Sequence, residues 1–241
     1  MRVTVVICNY NYQKYIGRAI ESAVNQTVPC NVVIVDDCST DNSWEKITYY
    51  ADKYENVHAI QLAENAGPSH ARNVAIENTL DMTDVYAILD ADDRMYPNKV
   101  ERCLQVLSQS PMIGMVYADY DILNEATGNL MRQYGRPYDK IHLNKECIIH
   151  SGSVIKKEAM LSAKDQFGFY DATMRTCEDY DLWMRISQNF VVFHVPEALT
   201  EITIQPQNSS ASVDKSVWER NWQRVQLKAR GLNDNSSNKK T

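Results

Sequence analysis

The chain has 241 residues, 44% of them hydrophobic, and 25 Lys and Arg against 31 Asp and Glu for a net charge of −6. That suffices for one large α/β domain or two small ones, and an acidic chain without a basic stripe lacks the footprint of a nucleic-acid binder. The six cysteines (Cys8, Cys30, Cys38, Cys103, Cys147 and Cys177) form no CxxC pair and fit neither a zinc site nor a disulfide framework, so buried free thiols in a reducing compartment are expected.

The N-terminus opens on the strand-like run Val3-Thr4-Val5-Val6-Ile7, with no signal-type apolar region. No apolar stretch reaches the roughly 18 residues of a membrane span. The expectation is a soluble, unsecreted, cytoplasmic chain, compatible with peripheral contact at the inner face of a membrane.

In chain order, residues 3–7 read as a buried strand. Residues 15–24 read as a helix with Ile16, Ala19, Ile20, Ala23 and Val24 on one face. A second strand at 32–35 ends in Asp36-Asp37, and Ser39, Thr40, Asp41 and Ser43 offer N-caps for a helix reaching about Tyr54. A third strand at 57–62 leads through the turn Asn65-Ala66-Gly67-Pro68 into a helix over 68–78, with Pro68 in its first turn. A fourth strand at 85–89 ends in Asp90-Ala91-Asp92-Asp93, followed by a helix at 97–107 and a strand at 115–118.

The second half is less regular. It offers a strand at 152–155, a helix at 157–163, and a helix at 179–187 that buries Tyr180, Trp183 and Met184. Strands at 191–195 and 199–204 precede a helix over 213–230. There Trp218, Trp222 and Val225 form a stripe that reads as core packing, and residues 231–241 read as a disordered tail. Residues 1–212 form one domain on this reading, with a nucleotide-binding half over 1–120 and an acceptor-binding half over 121–212.

Alternating strands and helices imply βαβ units and a mostly parallel, Rossmann-like sheet flanked by helices. Ligands bind such sheets beyond the carboxyl ends of the strands. Asn9 and Tyr10, Asp36-Asp37 and Asp90–Asp93 all fall at those ends. Three carboxylates this close repel one another unless a cation sits among them. Mg²⁺ or Mn²⁺ with a phosphorylated ligand would satisfy them. An acidic turn capping the helix near Pro97 is the plainer alternative.

Five segments carry a resemblance to a known family. They are the run from Val3 to Asn11, Ile34-Val35-Asp36-Asp37-Cys38-Ser39-Thr40-Asp41, Asn65-Ala66-Gly67-Pro68 through Asn73, Leu89-Asp90-Ala91-Asp92-Asp93, and Glu178-Asp179-Tyr180-Asp181-Leu182-Trp183-Met184-Arg185. In that order, over residues 1 to about 205, they resemble the motifs of family 2 glycosyltransferases. A lone D-x-D is a weak signal; five motifs in order are a specific one. The resemblance implies a GT-A fold with a smaller mixed acceptor-side sheet and a C-terminal helix. It also implies a nucleotide-sugar donor, a divalent metal and inversion at the anomeric carbon.

Carried onto this chain, the resemblance assigns Cys8, Asn9, Tyr10, Asp37, Arg72, Asp90 and Ala91 to the nucleotide. Asp37 would accept from a uracil imide, which favours a UDP-sugar. Arg72 would touch base or diphosphate, and Asp90 the ribose. Asp92 and Asp93 would hold Mn²⁺ or Mg²⁺, and Asp179 beside Glu178 would be the general base toward a hydroxyl of a glycan or lipid-linked acceptor. Each has a plainer reading: an Asx-type turn at Asp36-Asp37, a surface arginine at 72, and a helix cap at Glu178-Asp179. Where relatives carry a histidine after the last strand, this chain has Gln205 and Gln207. A metal-dependent nucleotidyltransferase is the alternative enzyme, although Cys8-Asn9-Tyr10-Asn11-Tyr12 lacks the glycine and arginine expected of its loop. A non-catalytic sugar-nucleotide-binding relative is the other alternative. Donor sugar, acceptor and oligomeric state are not encoded in any motif.

Overall fold

Four short runs rich in Val and Ile become parallel strands: β1 (Val3–Asn9), β2 (Cys30–Asp36), β3 (Val57–Gln61) and β4 (Val85–Asp90). The computed structural model describes residues 1–150, 152–205 and 213–229, so Gln207 and the tail over 231–241 lie outside the described residues. Between the strands run α1 (Ile16–Val24), α2 (Ser43–Lys53) and α3 (Pro68–Thr79). Both faces of the sheet are covered, which is why its strands are apolar throughout rather than alternating. Val5, Ile7 and Ile34 pack with Ile16, Ala19, Ile20 and Ala23 of α1. Val6, Val33, Val35 and Tyr86 pack on the other face with Ala71, Ala75 and Ile76 of α3.

The remaining elements are β5 (Arg94–Met95), α4 (Lys99–Leu107), β6 (Ile113–Asn124), β7 (Asn129–Gln133), α5 (Lys140–Leu143), β8 (Val154–Lys156), α6 (Lys157–Ala163), α7 (Glu178–Asn189), β9 (Val191–Ile204) and α8 (Lys215–Ala229). The sheet order is β3-β2-β1-β4-β8-β6-β9-β5, with β7 on β6. β4 meets β8 antiparallel and β6 meets β9 in parallel. The mixed strands of the second half are therefore continuous with the parallel ones and share one sheet, not a smaller separate one.

Some elements depart from the sequence expectations. β5, β7 and α5 are additional. The two strands expected at 191–195 and 199–204 are one, with the register on β6 shifting between Ala118↔Val195 and Asp119↔Ala198. That bulge accommodates Pro196, which lacks the N–H of a regular ladder. The N-cap of α2 is Asn42, while Asp41 Oδ1 accepts from Ser43 N–H at 2.9 Å. All six cysteines are free, but only Cys30 and Cys103 are buried; Cys147 is exposed and the other three are half-buried. Among the described residues no helix is long and apolar enough to cross a membrane.

Candidate functional site

The parallel register brings separate motifs to one edge of the sheet. Cys8 is the Cα partner of Asp90, and Asn9 of Asp36. The order β3-β2-β1-β4 reverses direction between β1 and β4, and the carboxyl ends there open on a cleft of about 1430 Å³. A switch point of this kind is where open α/β sheets bind ligands. The cleft is lined by Cys8, Asn9, Tyr10, Asp37, Arg72, Asp90, Ala91, Asp92, Asp93, Glu178 and Asp179. All eleven residues singled out from sequence thus converge there.

The two aspartates after β2 divide as structural and cleft-facing groups. Asp36 is fully buried; its carboxylate accepts from Asn9 Nδ2 at 2.8 Å and from the Ser39 hydroxyl at 2.6 Å and backbone N–H at 3.0 Å. Asn9 is therefore a pin for this turn, its amide nitrogen committed to Asp36 and Ser39. Asp37 accepts from the N–H groups of Ala66 and Gly67, both at 2.8 Å, which folds the loop before α3 over the cleft. Each carboxylate oxygen has a second lone pair for a ligand donor. Tyr10 is exposed along the wall, and burial pushes the Cys8 thiol up to about 12, so Cys8 stays a neutral thiol.

Arg72 is not a surface arginine. It is only 6% exposed, stacked with its guanidinium carbon 5.2 Å from the Tyr170 ring centre. Its nitrogens lie 2.9 Å from Asp90, 3.1 Å from Glu178 and 3.7 Å from Asp179. One buried cation thereby joins the end of β4 to the start of α7. Tyr170 is held in turn by Asn73, whose side chain exchanges two 2.8 Å hydrogen bonds with its backbone. No sequence motif pointed to Tyr170; Asn73 lay inside the quoted motif without an assigned role.

The acidic cluster is compressed. Asp92 accepts from Gln205 Nε2 at 3.2 Å, and Asp93 from the Thr203 N–H at 2.9 Å. Burial, then the neighbouring Asp90, push the Asp92 carboxyl up to about 6, and the same two causes with Asp92 push Asp93 well above the usual range. Lys99, buried with its ammonium 2.7 Å from Thr200 Oγ1, is pushed down to about 8 by burial. Gln205, one of the two glutamines in the region where a histidine is expected, reaches Asp92 and brings no charge. Among the described residues no three His, Cys, Asp or Glu side chains form a ready-made metal cage. The donor set still fits Mg²⁺ or Mn²⁺, which are held by one or two carboxylates completed by ligand phosphates; a divalent ion would also relieve the crowding that raises both carboxyls.

At the start of α7, Glu178, Asp179 and Asp181 occupy the first turn, where the helix dipole favours carboxylates. Cys177 before them sits at φ 62, a left-handed conformation uncommon for a residue with a side chain. Asp179 Oδ1 is buried without a hydrogen-bond partner. Burial pushes this carboxyl up to about 8 against the pull of Arg72, with repulsion from Glu178 and Asp90 adding to the rise. A largely buried carboxylate with an oxygen that accepts no hydrogen bond, in a cleft, has the makings of a proton acceptor near neutral pH.

The tryptophan stripe of α8 overturns its core-packing reading. Val225 is buried, but Trp218 is 36% and Trp222 42% exposed, and both line the cleft. The helix instead buries Asn221, which donates to Thr176 O and Oγ1 at 3.2 and 2.9 Å. Two acidic side chains anchor its end: Lys228 lies 2.7 Å from Asp171 and 3.1 Å from Asp181, and Arg224 2.9 Å from Asp171.

Comparison with known proteins places this arrangement. The sequence model of Glycosyl transferase family 2 matches residues 4–162. The glycosyltransferase TuaG of Bacillus subtilis (strain 168), named for teichuronic acid biosynthesis, is 28% identical over 220 residues, covering 88% of this chain and 82% of TuaG. Residues 1–349 of S. aureus TarS, solved in complex with UDP-GlcNAc, superpose with a TM-score of 0.76 at 18% identity, over 95% of this chain and 66% of that one. The mannosyltransferase PcManGT from Pyrobaculum calidifontis, solved with GDP-Man and Mn²⁺, gives 0.68 at 19% identity, over 87% of this chain and 59% of its own. These likenesses show a common GT-A fold.

Proposed function

This chain belongs to glycosyltransferase family 2 and is a glycosyltransferase, and on that premise we propose that it transfers a sugar, with inversion, from a UDP-sugar to a hydroxyl of a glycan or lipid-linked acceptor in polysaccharide synthesis. The carrying observation is the bridge made by Arg72, one buried cation that joins Asp90 at the end of β4 to Asp179 at the start of α7. A nucleotide-sugar transfer needs that division: one end holds the nucleotide, the other receives a proton. TuaG is named for teichuronic acid biosynthesis, and TarS was solved with UDP-GlcNAc; both support the choice of pathway type and donor.

In this reading Cys8 and Tyr10 flank the base and Asp37 accepts a hydrogen bond from the uracil imide N–H. Asp90 takes the ribose while Ala91, buried at 2% exposure, keeps the strand end tight. Asp92 with Asp93 would hold Mn²⁺ or Mg²⁺, which supplies charge neutralisation of the departing diphosphate. The acceptor oxygen attacks the anomeric carbon from the face opposite the diphosphate as Asp179 takes its proton. The carbon–oxygen bond to the diphosphate breaks and its electron pair leaves on the nucleotide. One displacement without a covalent enzyme intermediate inverts the centre, with Glu178 adjoining the base and Arg72 holding it.

The test is thermal unfolding with UDP, GDP and CDP, each with and without Mn²⁺. A specific ligand stabilises the folded state by mass action. A rise in Tm for UDP that exceeds the others and grows with Mn²⁺ is expected. Stabilisation by GDP alone would replace the donor, and no stabilisation by any nucleotide would sink the reading.

A further inference from the structure

We infer that Trp218 and Trp222 of α8 form a stacking platform for a sugar ring of the acceptor, on the Asp179 side of the cleft. This rests on the glycosyltransfer reading and names a binding surface for it. The first observation is an inverted helix. α8 buries Asn221 and leaves two tryptophans open, at i and i+4 on one face. An exposed large apolar pair beside a buried amide is the informative departure from ordinary burial. Packing the helix core does not account for it, because Val225, Arg224 and Lys228 do the docking.

The second observation is place. Asn221 is bonded to Thr176, three residues before Asp179. Trp222 directly follows this tie and Trp218 precedes it by three residues, so both rings are carried by the part of α8 that docks just before α7 and its Asp179. Both line the same cleft as Asp179.

The third is size. The cleft of about 1430 Å³ exceeds the roughly 300–1,000 Å³ of ordinary small-ligand pockets, leaving room for a second ligand after a nucleotide sugar is seated. Indole offers a broad apolar plate with one N–H donor at its edge. A pyranose presents the complement, an apolar C–H face rimmed by hydroxyls. The tie at Asn221 makes α8 a fixed wall, so such a ring would be held where its neighbouring hydroxyl can reach Asp179.

Saturation-transfer NMR with methyl β-D-glucopyranoside, methyl β-D-galactopyranoside and methyl N-acetyl-β-D-glucosaminide tests this, on the full chain with UDP and Mn²⁺. Direct UDP binding is measured alongside. At least one glycoside should take up saturation at its ring protons. Its affinity should fall about tenfold or more in W218A/W222A and recover substantially in W218Y/W222Y, with UDP affinity unchanged in both. The tyrosine pair also guards against misfolding of the alanine pair. Equal binding by W218A/W222A, or no binding of any glycoside by the native chain, would overturn the platform. So would tryptophan-dependent adsorption to phosphatidylglycerol vesicles without any glycoside effect, which would make the stripe a lipid contact. Tryptophan-dependent glycoside binding by a chain that ignores UDP would uphold the platform and sink the UDP-sugar reading alone.

Discussion

Arg72 Nη1 lies 3.7 Å from Asp179 Oδ1, near enough to act by charge and too far to hydrogen-bond. The guanidinium thus lowers the proton affinity of the carboxylate without occupying the oxygen that must receive a proton. Its closer bonds go to Asp90 at 2.9 Å and Glu178 at 3.1 Å. Arg72→Met should remove the one group that pulls Asp179 down, displacing the acidic limb of the rate profile upward and cutting transfer at pH 7 by at least tenfold. Arg72→Lys keeps a charge but cannot fork to both sides, so it should retain the wild-type limb more closely while binding UDP less tightly. Measured pH profiles of both variants check this; coincident limbs for Met and wild type would remove Arg72 from the electrostatics of the base.

A base works only when ionised. With burial holding the Asp179 carboxyl at about 8, the ionised fraction rises as pH passes upward through that value. Transfer at saturating donor should climb with pH and level off above about 8, and fall about tenfold per unit in acid. Asp179→Asn should lower turnover by about 10²–10⁴, the usual worth of a general base, with UDP affinity retained. The assay must follow the glycosylated acceptor, because donor hydrolysis can persist without the base. A variant with near-normal transfer would reassign the proton to Glu178.

Much of this was legible in sequence, for physical reasons that also mark where legibility ends. β1, β2 and β4 are largely apolar runs ending in polar residues, so both the strands and the edge of the sheet that holds the cleft could be read directly. β5 has two residues, and β7, Asn129–Gln133, carries no apolar alternation; their pairing partners alone make them strands. Pro196 split β9 in sequence because a bulge is a property of the partner register. The side of α8 that faces the cleft was misread for a related reason. Period 3.6 finds a stripe but not what covers it, and the buried Asn221 that decides the matter looks like any surface residue. Arg72 was placed in the site by its motif, yet its burial against Tyr170 depends on a chain segment about a hundred residues away.

The contact between Gln205 and Asp92, 3.2 Å from amide nitrogen to carboxylate, offers a test of the metal assignment. An imidazole at this position would add a neutral nitrogen ligand for Mn²⁺ where the amide now donates a proton. Gln205→His should lower the Mn²⁺ concentration that half-saturates UDP binding by several-fold, while Asp92→Asn should raise it by tenfold or more. Titration calorimetry with UDP at fixed Mn²⁺ levels reads both. Indifference of UDP binding to both substitutions would place the ion elsewhere.

Two glycines separate backbone strain from crowding, and their substitutions should fail in different ways. Gly67 caps α3 at φ 91 and ψ 164, and a Cβ there would meet nothing within 4 Å. The cost of Gly67→Ala is therefore conformational, about 1–3 kcal/mol for a region essentially reserved to glycine. The strain can be relieved by turning the peptide whose N–H donates to Asp37 Oδ2 at 2.8 Å. UDP affinity should then drop along with Tm. At Gly114 in β6 a Cβ would stand 2.6 Å from Phe190 Cβ and 2.7 Å from Ala159 Cβ, between α6 and the end of α7. Gly114→Ala forces packed elements apart, an overpacking cost of about 1–3 kcal/mol, with no bond to the cleft disturbed. Its Tm should fall by several degrees while UDP affinity of the folded protein stays at the wild-type value. Equal loss of UDP affinity in the two variants would show that Asp37 does not depend on the Gly67 peptide.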